Sequence, residues 1–206
     1  MSGMAGSTAR MSADDAARYD AMMLRLERRF FADTRSWVCR RARGDVLEIA
    51  VGTGLNLPYY PDRIRITGVD HNPEILDFAR RRATTIGREI SLGHGDAMAL
   101  PFAQESFDTV VCTFALCEVP DDALAIEEAL RVLRPGGSLL LADHVVATNP
   151  LVRAGQHLLE TLTIRLSGEH FTRRPSVHLD ARGAQVVASD RLTHGAIERV
   201  HARKLA

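Results

Sequence analysis

The sequence predicts a single-domain α/β fold with a doubly wound, mostly parallel sheet, on three observations. Short β-branched or apolar runs alternate with helix-like stretches, the first run opens into glycines at Gly52 and Gly54, and the second closes on Asp70. Alternation of this kind gives a parallel sheet covered on both faces. At 206 residues, 46% hydrophobic and 25% charged, the chain is long enough for one core of that size.

From Asp14 to Arg41, Tyr19, Met22, Met23, Leu26, Phe30 and Trp37 fall near helical spacing with Arg18, Arg25, Arg28, Arg29 and Arg35 between them. This predicts an amphipathic helix broken near Asp33. Strands are predicted at Val46–Ala50, Ile64–Val69, Ile90–Gly93, Thr109–Thr113 and Ser138–Ala142, with helices over Pro73–Ile86 and Asp121–Leu133. Asn72-Pro73 reads as an N-cap followed by proline at the first helical position, and Asp121 with Asp122 places negative charge at the next helix start. Beyond Asn149-Pro150 a helix is predicted over Leu151–Leu166, then a polar segment Gly168–Pro175 and a further helix to Arg182. The Leu158, Leu159, Leu162 and Leu166 stripe suits roofing an apolar pocket or packing on the sheet. Gln185–Leu192 and Ile197–Arg203 alternate around His194-Gly195 as a hairpin that finishes the sheet with an antiparallel edge. The expected sheet is seven-stranded, five parallel strands plus this hairpin. Residues 1–13, rich in Gly, Ser and Thr, read as disordered, 14–44 as a lid helix and 45–206 as the domain proper, with no internal repeat.

Gly52 and Gly54 lack a Cβ and let backbone approach a ligand closely. Asp70 follows Gly52 by eighteen residues, about where an acid meets a ribose hydroxyl in nucleotide-binding α/β folds, which points to a nucleoside cofactor. A dinucleotide fingerprint starting at Gly52 would need glycine at Leu57, and one starting at Ala50 fails at once, so NAD and a dehydrogenase are disfavoured. Of 26 basic residues only Lys204 is a lysine, which excludes a P-loop and argues against a Schiff-base enzyme. Cys39, Cys112 and Cys117 are odd in number without C-x-x-C spacing, so no disulfide framework and no metal is expected, and a reducing cytoplasm fits. Formal charge is +4 over residues 1–44, −8 over 45–164 and +4 over 165–206. An acidic centre with 5% aromatics lacks the basic stripe of a nucleic-acid binder. No apolar run reaches the roughly 18 residues that span a bilayer, and Met1–Arg10 has no signal-peptide core. The arginine-flanked apolar face of 14–41 fits a lid over the cofactor or peripheral contact with a membrane surface.

Glu48-Ile-Ala-Val-Gly-Thr-Gly54, Gly68-Val-Asp70, Gly95-Asp-Ala97, Ser106-Phe-Asp-Thr-Val-Val111 and Leu133-Arg-Pro-Gly-Gly137 stand in one order along the chain. In that order and spacing the sequence resembles the class I S-adenosylmethionine-dependent methyltransferases, densely from Val46 to His144. The resemblance implies a Rossmann-like fold and S-adenosylmethionine as cofactor. Ala50 stands where that family usually has glycine. Tyr19-Asp20, Leu100-Pro-Phe102 and Val110–Val119 are similar to small phosphatidylethanolamine, quinone and thiol methyltransferases. The Val-Val-Cys-Thr run, Asp143-His144 and the segment Gly168 to Arg173 also resemble mammalian methyltransferase-like proteins acting on alkyl thiols, with Glu169 in place of a cysteine.

The resemblance further implies roles. Gly52 and Gly54 would let the loop pass under the cofactor's methionine moiety, Ala50 and Asn56 would also contact the cofactor, Glu48 would accept from its ammonium or cap the following helix, and Tyr19 would lie near its carboxylate. Asp70 would take the ribose hydroxyls, His71 would stack on the adenine or face solvent, Asp96 would accept from the adenine amino group and the Ala97 N–H would reach a ring nitrogen. Thr113 and Phe114 would line the crevice at the carboxyl end of the fourth strand. Asp143 and His144 are candidate bases at the end of the fifth, and His157 and His170 fall where the acceptor should be roofed. Cys117 is not needed as a nucleophile, since methyl transfer from a sulfonium requires no covalent enzyme intermediate. The expected acceptor is small and apolar, a thiol ahead of a phospholipid amine or a quinol. A catalytically silent cofactor-binding subunit is compatible with the same cofactor motifs.

Overall fold

A computed structural model describes residues 13–31, 33–166 and 170–205; the expectation for residues 1–12, and that for Gly168 and Glu169, lie outside them. Strands β1 (Asp45–Ile49), β2 (Arg65–Asp70), β3 (Ser91–His94), β4 (Phe107–Thr113), β5 (Leu133–His144), β6 (Ala184–Leu192) and β7 (Ile197–Lys204) form one sheet in the order β3-β2-β1-β4-β5-β7-β6. The first five are parallel, and β7 runs antiparallel to both β5 and β6. The seven-stranded, doubly wound Rossmann-like arrangement read from the sequence is the one observed.

Because successive strand residues point to opposite faces, each central strand feeds two cores. Leu47, Ile49, Val110, Leu139 and Leu141 pack with α4 (Asp122–Val132) through Ile126, Ala129 and Leu130. Val46, Val111 and Leu140 pack with Val38 and Cys39 of α2 (Thr34–Cys39) on the other face. Strand order reverses between β1 and β4, so the crevice for a ligand opens at their carboxyl ends.

The N-terminal helix divides as α1 (Ala13–Leu26), a π-helical turn Glu27–Phe31 and α2, with the break at Asp33, whose carboxylate accepts from Arg199 Nη1 at 2.6 Å. Asp121 caps α4 by accepting from the Leu124 N–H at 3.0 Å. Two of the predicted helices need correction. Helix α3 (Leu76–Thr85) begins three residues later than Pro73, because Asn72 Oδ1 accepts from the Glu74 N–H at 3.0 Å and closes an Asx-turn instead of capping a helix. The helix expected to run to Arg182 is two short 3₁₀ turns, Pro175–His178 and Asp180–Arg182, since Pro175 and the left-handed Gly183 leave too few residues to nucleate an α-helix.

Helix α5 (Pro150–Leu166) is capped by Asn149, whose Oδ1 accepts from the Leu151 N–H at 2.9 Å. It turns Gln156 and Glu160 toward the body, while Leu158 and Leu159 point to solvent and neither roof a pocket nor pack on the sheet. The side chains of Leu162 and Leu166 lie outside the described residues. No helix among the described residues is long and apolar enough to cross a membrane.

Candidate active site

At the end of β1 the chain turns sharply: Ala50 adopts φ 53°, then Gly52 φ 55° and Gly54 φ 81°. The left-handed region costs an alanine about 1–2 kcal/mol, so the backbone keeps the shape glycine would allow and stores the difference as strain. A Cβ on Gly52 would meet nothing within 4 Å, whereas one on Gly54 would come within 2.8 Å of Leu57 Cδ1. Gly52 therefore borders open space and Gly54 admits close packing. Asp70, ending β2, ties this loop down: its Oδ2 accepts from the Gly52 N–H and its Oδ1 from the Asn72 N–H, both at 2.9 Å.

Beneath the loop lies a buried polar network. Glu48 Oε1 accepts from Asn56 Nδ2 at 2.9 Å and Oε2 from the Tyr60 hydroxyl at 3.0 Å. Asn56 Nδ2 also donates to Thr113 Oγ1 at 2.9 Å, and Asn56 Oδ1 accepts from Arg35 Nη1 at 2.8 Å. Burial outweighs these bonds and pushes the Glu48 carboxyl up to about 7. Arg35 reaches over the Phe114 ring at 5.3 Å, so a cation and a carboxyl flank one small recess of about 60 Å³. That recess shares Ala50 with a largely apolar cavity of about 480 Å³ lined by His71, Gly95, Asp96, Ala97 and Met98. Asp96 shapes its own loop, its Oδ1 accepting from the Met98 N–H at 2.8 Å, and the exposed His71 places Nδ1 3.6 Å from Asp70 Oδ1. A groove of about 530 Å³ at the opposite end of the sheet, lined by Asp45, Arg65 and Glu89, faces the amino ends of the strands, away from where such sheets bind ligands.

Next to the recess Asp143 is buried and holds the β4 exit segment: Oδ2 accepts from the Leu116 N–H at 2.7 Å and the Cys117 N–H at 3.3 Å, while Oδ1 accepts from the His144 N–H at 2.7 Å. Burial pushes its carboxyl up to about 6 against those bonds. Phe114, in that segment, sits at φ 54°, an uncommon conformation for a bulky side chain. The His144 ring lies 5.3 Å from Phe31, 5.3 Å from Phe114 and 5.7 Å from Phe171, and burial lowers its pKa to about 4. Its Nδ1 is buried without a hydrogen-bond partner.

The structure thus brings Glu48, Ala50, Gly52, Asn56, Asp70, Thr113, Phe114, Asp143 and His144 to one crevice, with Asp96 and Ala97 across the adjoining cavity. The Tyr19 side chain lies outside the described residues. His157 is exposed on the outer side of α5, and the backbone N–H of His170 donates to the Cys117 carbonyl at 2.8 Å. The sequence reading missed Arg35, Tyr60, Phe31 and Phe171 as parts of the site. It also missed the anchor formed by Asp20, which pairs with Arg82 and accepts from Thr53 Oγ1 at 2.6 Å, fastening α1 beside the glycine loop. Arg35 was one of many arginines at helical spacing, and only the fold singles it out.

Residues 47–141 match a family described as methyltransferase domain. The chain is 42% identical over 103 residues to a phosphatidylethanolamine N-methyltransferase of Cereibacter sphaeroides, covering 49% of this chain and 51% of that protein. It is 33% identical over 134 residues to a thiol S-methyltransferase of Homo sapiens, covering 63% and 54%. The chain therefore spans about half the length of these relatives. In fold it is similar to the crystal structure of an S-adenosylmethionine-dependent methyltransferase from Methanosarcina mazei, with TM-score 0.65 and 23% identity over 78% of this chain and 92% of that one. Residues 47–141 thus match a methyltransferase domain, and the chain shares its fold with the Methanosarcina structure.

Proposed function

We propose that the protein is an S-adenosylmethionine-dependent methyltransferase acting on a small apolar acceptor. The observation that carries this reading is the pairing of a charged recess, with Arg35 and Glu48 on its walls, and an apolar cavity across Ala50. An amino-acid tail and a nucleoside joined through one sulfur need such a pair. Arg35 would meet the cofactor's carboxylate, the Glu48 network its ammonium, Asp70 the ribose and the Asp96–Ala97 loop the adenine. When bound, the cofactor supplies an electrophilic methyl group on a sulfonium. The residues of the chain then align the acceptor and exclude water, and alignment of that kind supplies roughly 7–11 kcal/mol in favourable cases. Calorimetry with S-adenosylmethionine and its demethylated product tests the assignment, with NAD as the control. Asp70→Ala is expected to weaken cofactor binding by about 1.5–3 kcal/mol, the range for hydrogen bonds to a charged group. An unchanged affinity would remove Asp70 from the ribose site.

For the acceptor, a thiol is favoured over a phospholipid amine or a quinol. Phe31, Phe114 and Phe171 pack around His144 and would form the apolar wall of an acceptor slot, and a thiol of pKa about 8.5 needs little help to ionise beside a cation. His144, neutral above pH about 4, is a weak base; its Nδ1 is buried 4.0 Å from Asp143 Oδ1, so the ring would have to turn to accept a hydrogen bond from the acceptor. With a thiol, His144→Ala is expected to lower kcat about 100-fold at pH 7. The deficit should shrink above the thiol's pKa, where the thiolate forms unaided. An equal loss at both pH values means that His144 only shapes the slot. A radiolabelled-methyl screen over thiols, phospholipids and quinols separates the acceptors, and no turnover on any of them would favour the silent cofactor-binding subunit. The Asp20 anchor supports the lid reading of the N-terminal helix.

A further inference from the structure

The crevice gathers three side chains of the kinds that bind metal ions. Cys117 Sγ, an Asp143 carboxylate oxygen and a His144 ring nitrogen all lie within 4.8 Å of one another. Cys117 and Asp143 are buried and His144 is half-buried. His144 Nδ1 lies 4.0 Å from Asp143 Oδ1, too far for a hydrogen bond, and is itself buried without a partner whichever tautomer the ring adopts. Buried polar atoms are almost always partnered, so this one calls for a reason. Spacing along the chain conceals the set, because Cys117 follows β4 while Asp143 and His144 end β5. The parallel pairing of those two strands brings the three residues together.

The hydrogen bonds of Asp143 show how an ion would enter. A carboxylate offers about four lone-pair directions. Three of them take the N–H groups of Leu116, Cys117 and His144, and the Cys117 thiol donates to the same carboxylate. Loss of the thiol proton would free the last direction and turn the sulfur into a ligand. A cation would then stand where the proton was, with the three backbone bonds intact. Thiolate, imidazole and a single carboxylate oxygen suit zinc rather than magnesium or calcium, which take oxygen ligands throughout. Tetrahedral zinc, with ligands at about 2.0–2.3 Å, holds such atoms about 3.3–3.7 Å apart, so the three need to close in by about 1 Å.

We propose that Cys117, Asp143 and His144 form a three-ligand zinc site whose fourth position takes the sulfur of the thiol acceptor. Three protein ligands with a fourth place for water or substrate is the arrangement of catalytic zinc. The metal site rests on the cluster alone, and the role of its fourth position rests on the thiol reading given above. A thiol bound there gives its proton to solvent, because coordination deprotonates it. Its sulfur attacks the cofactor's methyl carbon. The new carbon–sulfur bond forms as the bond from methyl to sulfonium breaks, and that electron pair stays on the cofactor's sulfur as a neutral thioether. His144 then serves through the metal ion. Its alanine variant would lose least where the thiolate forms unaided, as it would for a base, so metal content rather than activity separates the two roles.

The full chain, stripped with a chelator and dialysed against zinc, is expected to retain about one equivalent. Cys117→Ser and His144→Ala should each weaken zinc affinity by roughly tenfold or more. Cobalt in place of zinc should give a thiolate-to-metal charge-transfer band that Cys117→Ser abolishes and propanethiol alters. Unchanged melting temperatures without metal would show that the variants fold, and the cobalt band of the parent chain does not depend on them. The proposal is overturned if the parent retains no zinc, if either variant binds zinc as tightly as the parent, or if propanethiol leaves the cobalt spectrum unchanged. Calorimetry with S-adenosylmethionine on the metal-free chain reads the methyltransferase assignment separately, so the failure of one is distinguishable from the failure of the other.

Discussion

Replacing Asp143 by alanine is expected to lower unfolding stability by about 3–5 kcal/mol, the largest effect of any single change in the crevice. Its carboxylate accepts from the N–H groups of Leu116, Cys117 and His144 in a buried setting, so truncation leaves up to three donors without an acceptor. Each buried unsatisfied donor costs about 1–3 kcal/mol, less whatever relaxation recovers. Asp143→Asn keeps the shape and one carbonyl oxygen, but turns an NH₂ group toward N–H groups, and should lose about half as much. Urea denaturation followed by fluorescence measures both. Near-parental stability for the alanine variant would mean that the exit segment of β4 holds itself, and that Asp143 is free for chemistry. The expected pattern instead makes Asp143 the residue that fixes Phe114 in its left-handed conformation and thereby sets the slot beside His144.

The second large effect is a pH dependence. Glu48 holds its proton up to about 7 in the folded protein, against about 4.5 for an ordinary glutamate. Below 4.5 both states carry the proton and Glu48 adds no pH dependence. As pH rises from 4.5 to 7 the unfolded chain ionises first, so stability falls by about 1.4 kcal/mol per pH unit, roughly 3 kcal/mol in total, and levels off above 7. Glu48→Gln cannot titrate. The stability difference between the two proteins should therefore shift by about 3 kcal/mol in favour of the variant between pH 4.5 and 8. His144 acts in the opposite sense, because its lowered pKa means stability lost as pH falls from 6.5 toward 4, but it is common to both proteins and cancels in the comparison. Parallel curves would show that Glu48 is already ionised at acid pH. A ligand ammonium beside Glu48 would draw that proton off. Cofactor binding near pH 6 should then release a proton from the parent and none from the variant, which calorimetry in buffers of different ionisation enthalpy detects.

Strand positions, the hairpin, the break at Asp33 and the glycine loop were legible because each rests on short-range pattern: β-branched runs, alternation and residues tolerant of positive φ. Asn72-Pro73 misled because the same two residues serve an Asx-turn and a helix cap, and only the next turn of backbone decides between them. The leucine stripe of α5 was visible, but its direction was not, since periodicity says which residues share a face and nothing about where that face points. Gln156 and Glu160 fixed it by finding partners at Ala147 and Thr172. Within the site, Asp70 and Glu48 were readable as acids at strand ends. Their partners Tyr60 and Arg35 were not, because the chain brings them in from a loop and a helix that carry no motif of their own.

The position of β7 inside the sheet bears on how the molecule is made. β6 leaves the ribosome before the strand it pairs with, and its preceding neighbour in sequence, β5, pairs with β7 instead. β5 ends at His144 and β7 begins at Ile197, so at typical rates of about 5–20 residues per second β5 waits several seconds for its antiparallel partner. Hairpin closure itself takes microseconds, so translation sets the interval. During it the β5 edge is unpaired, and once released β6, bearing the exposed Val186 and Val187, has no partner until β7 pairs with it. Neighbouring nascent copies on one message would present the same edges to each other, which makes the last dozen residues of the sheet the point where correct pairing and aggregation compete.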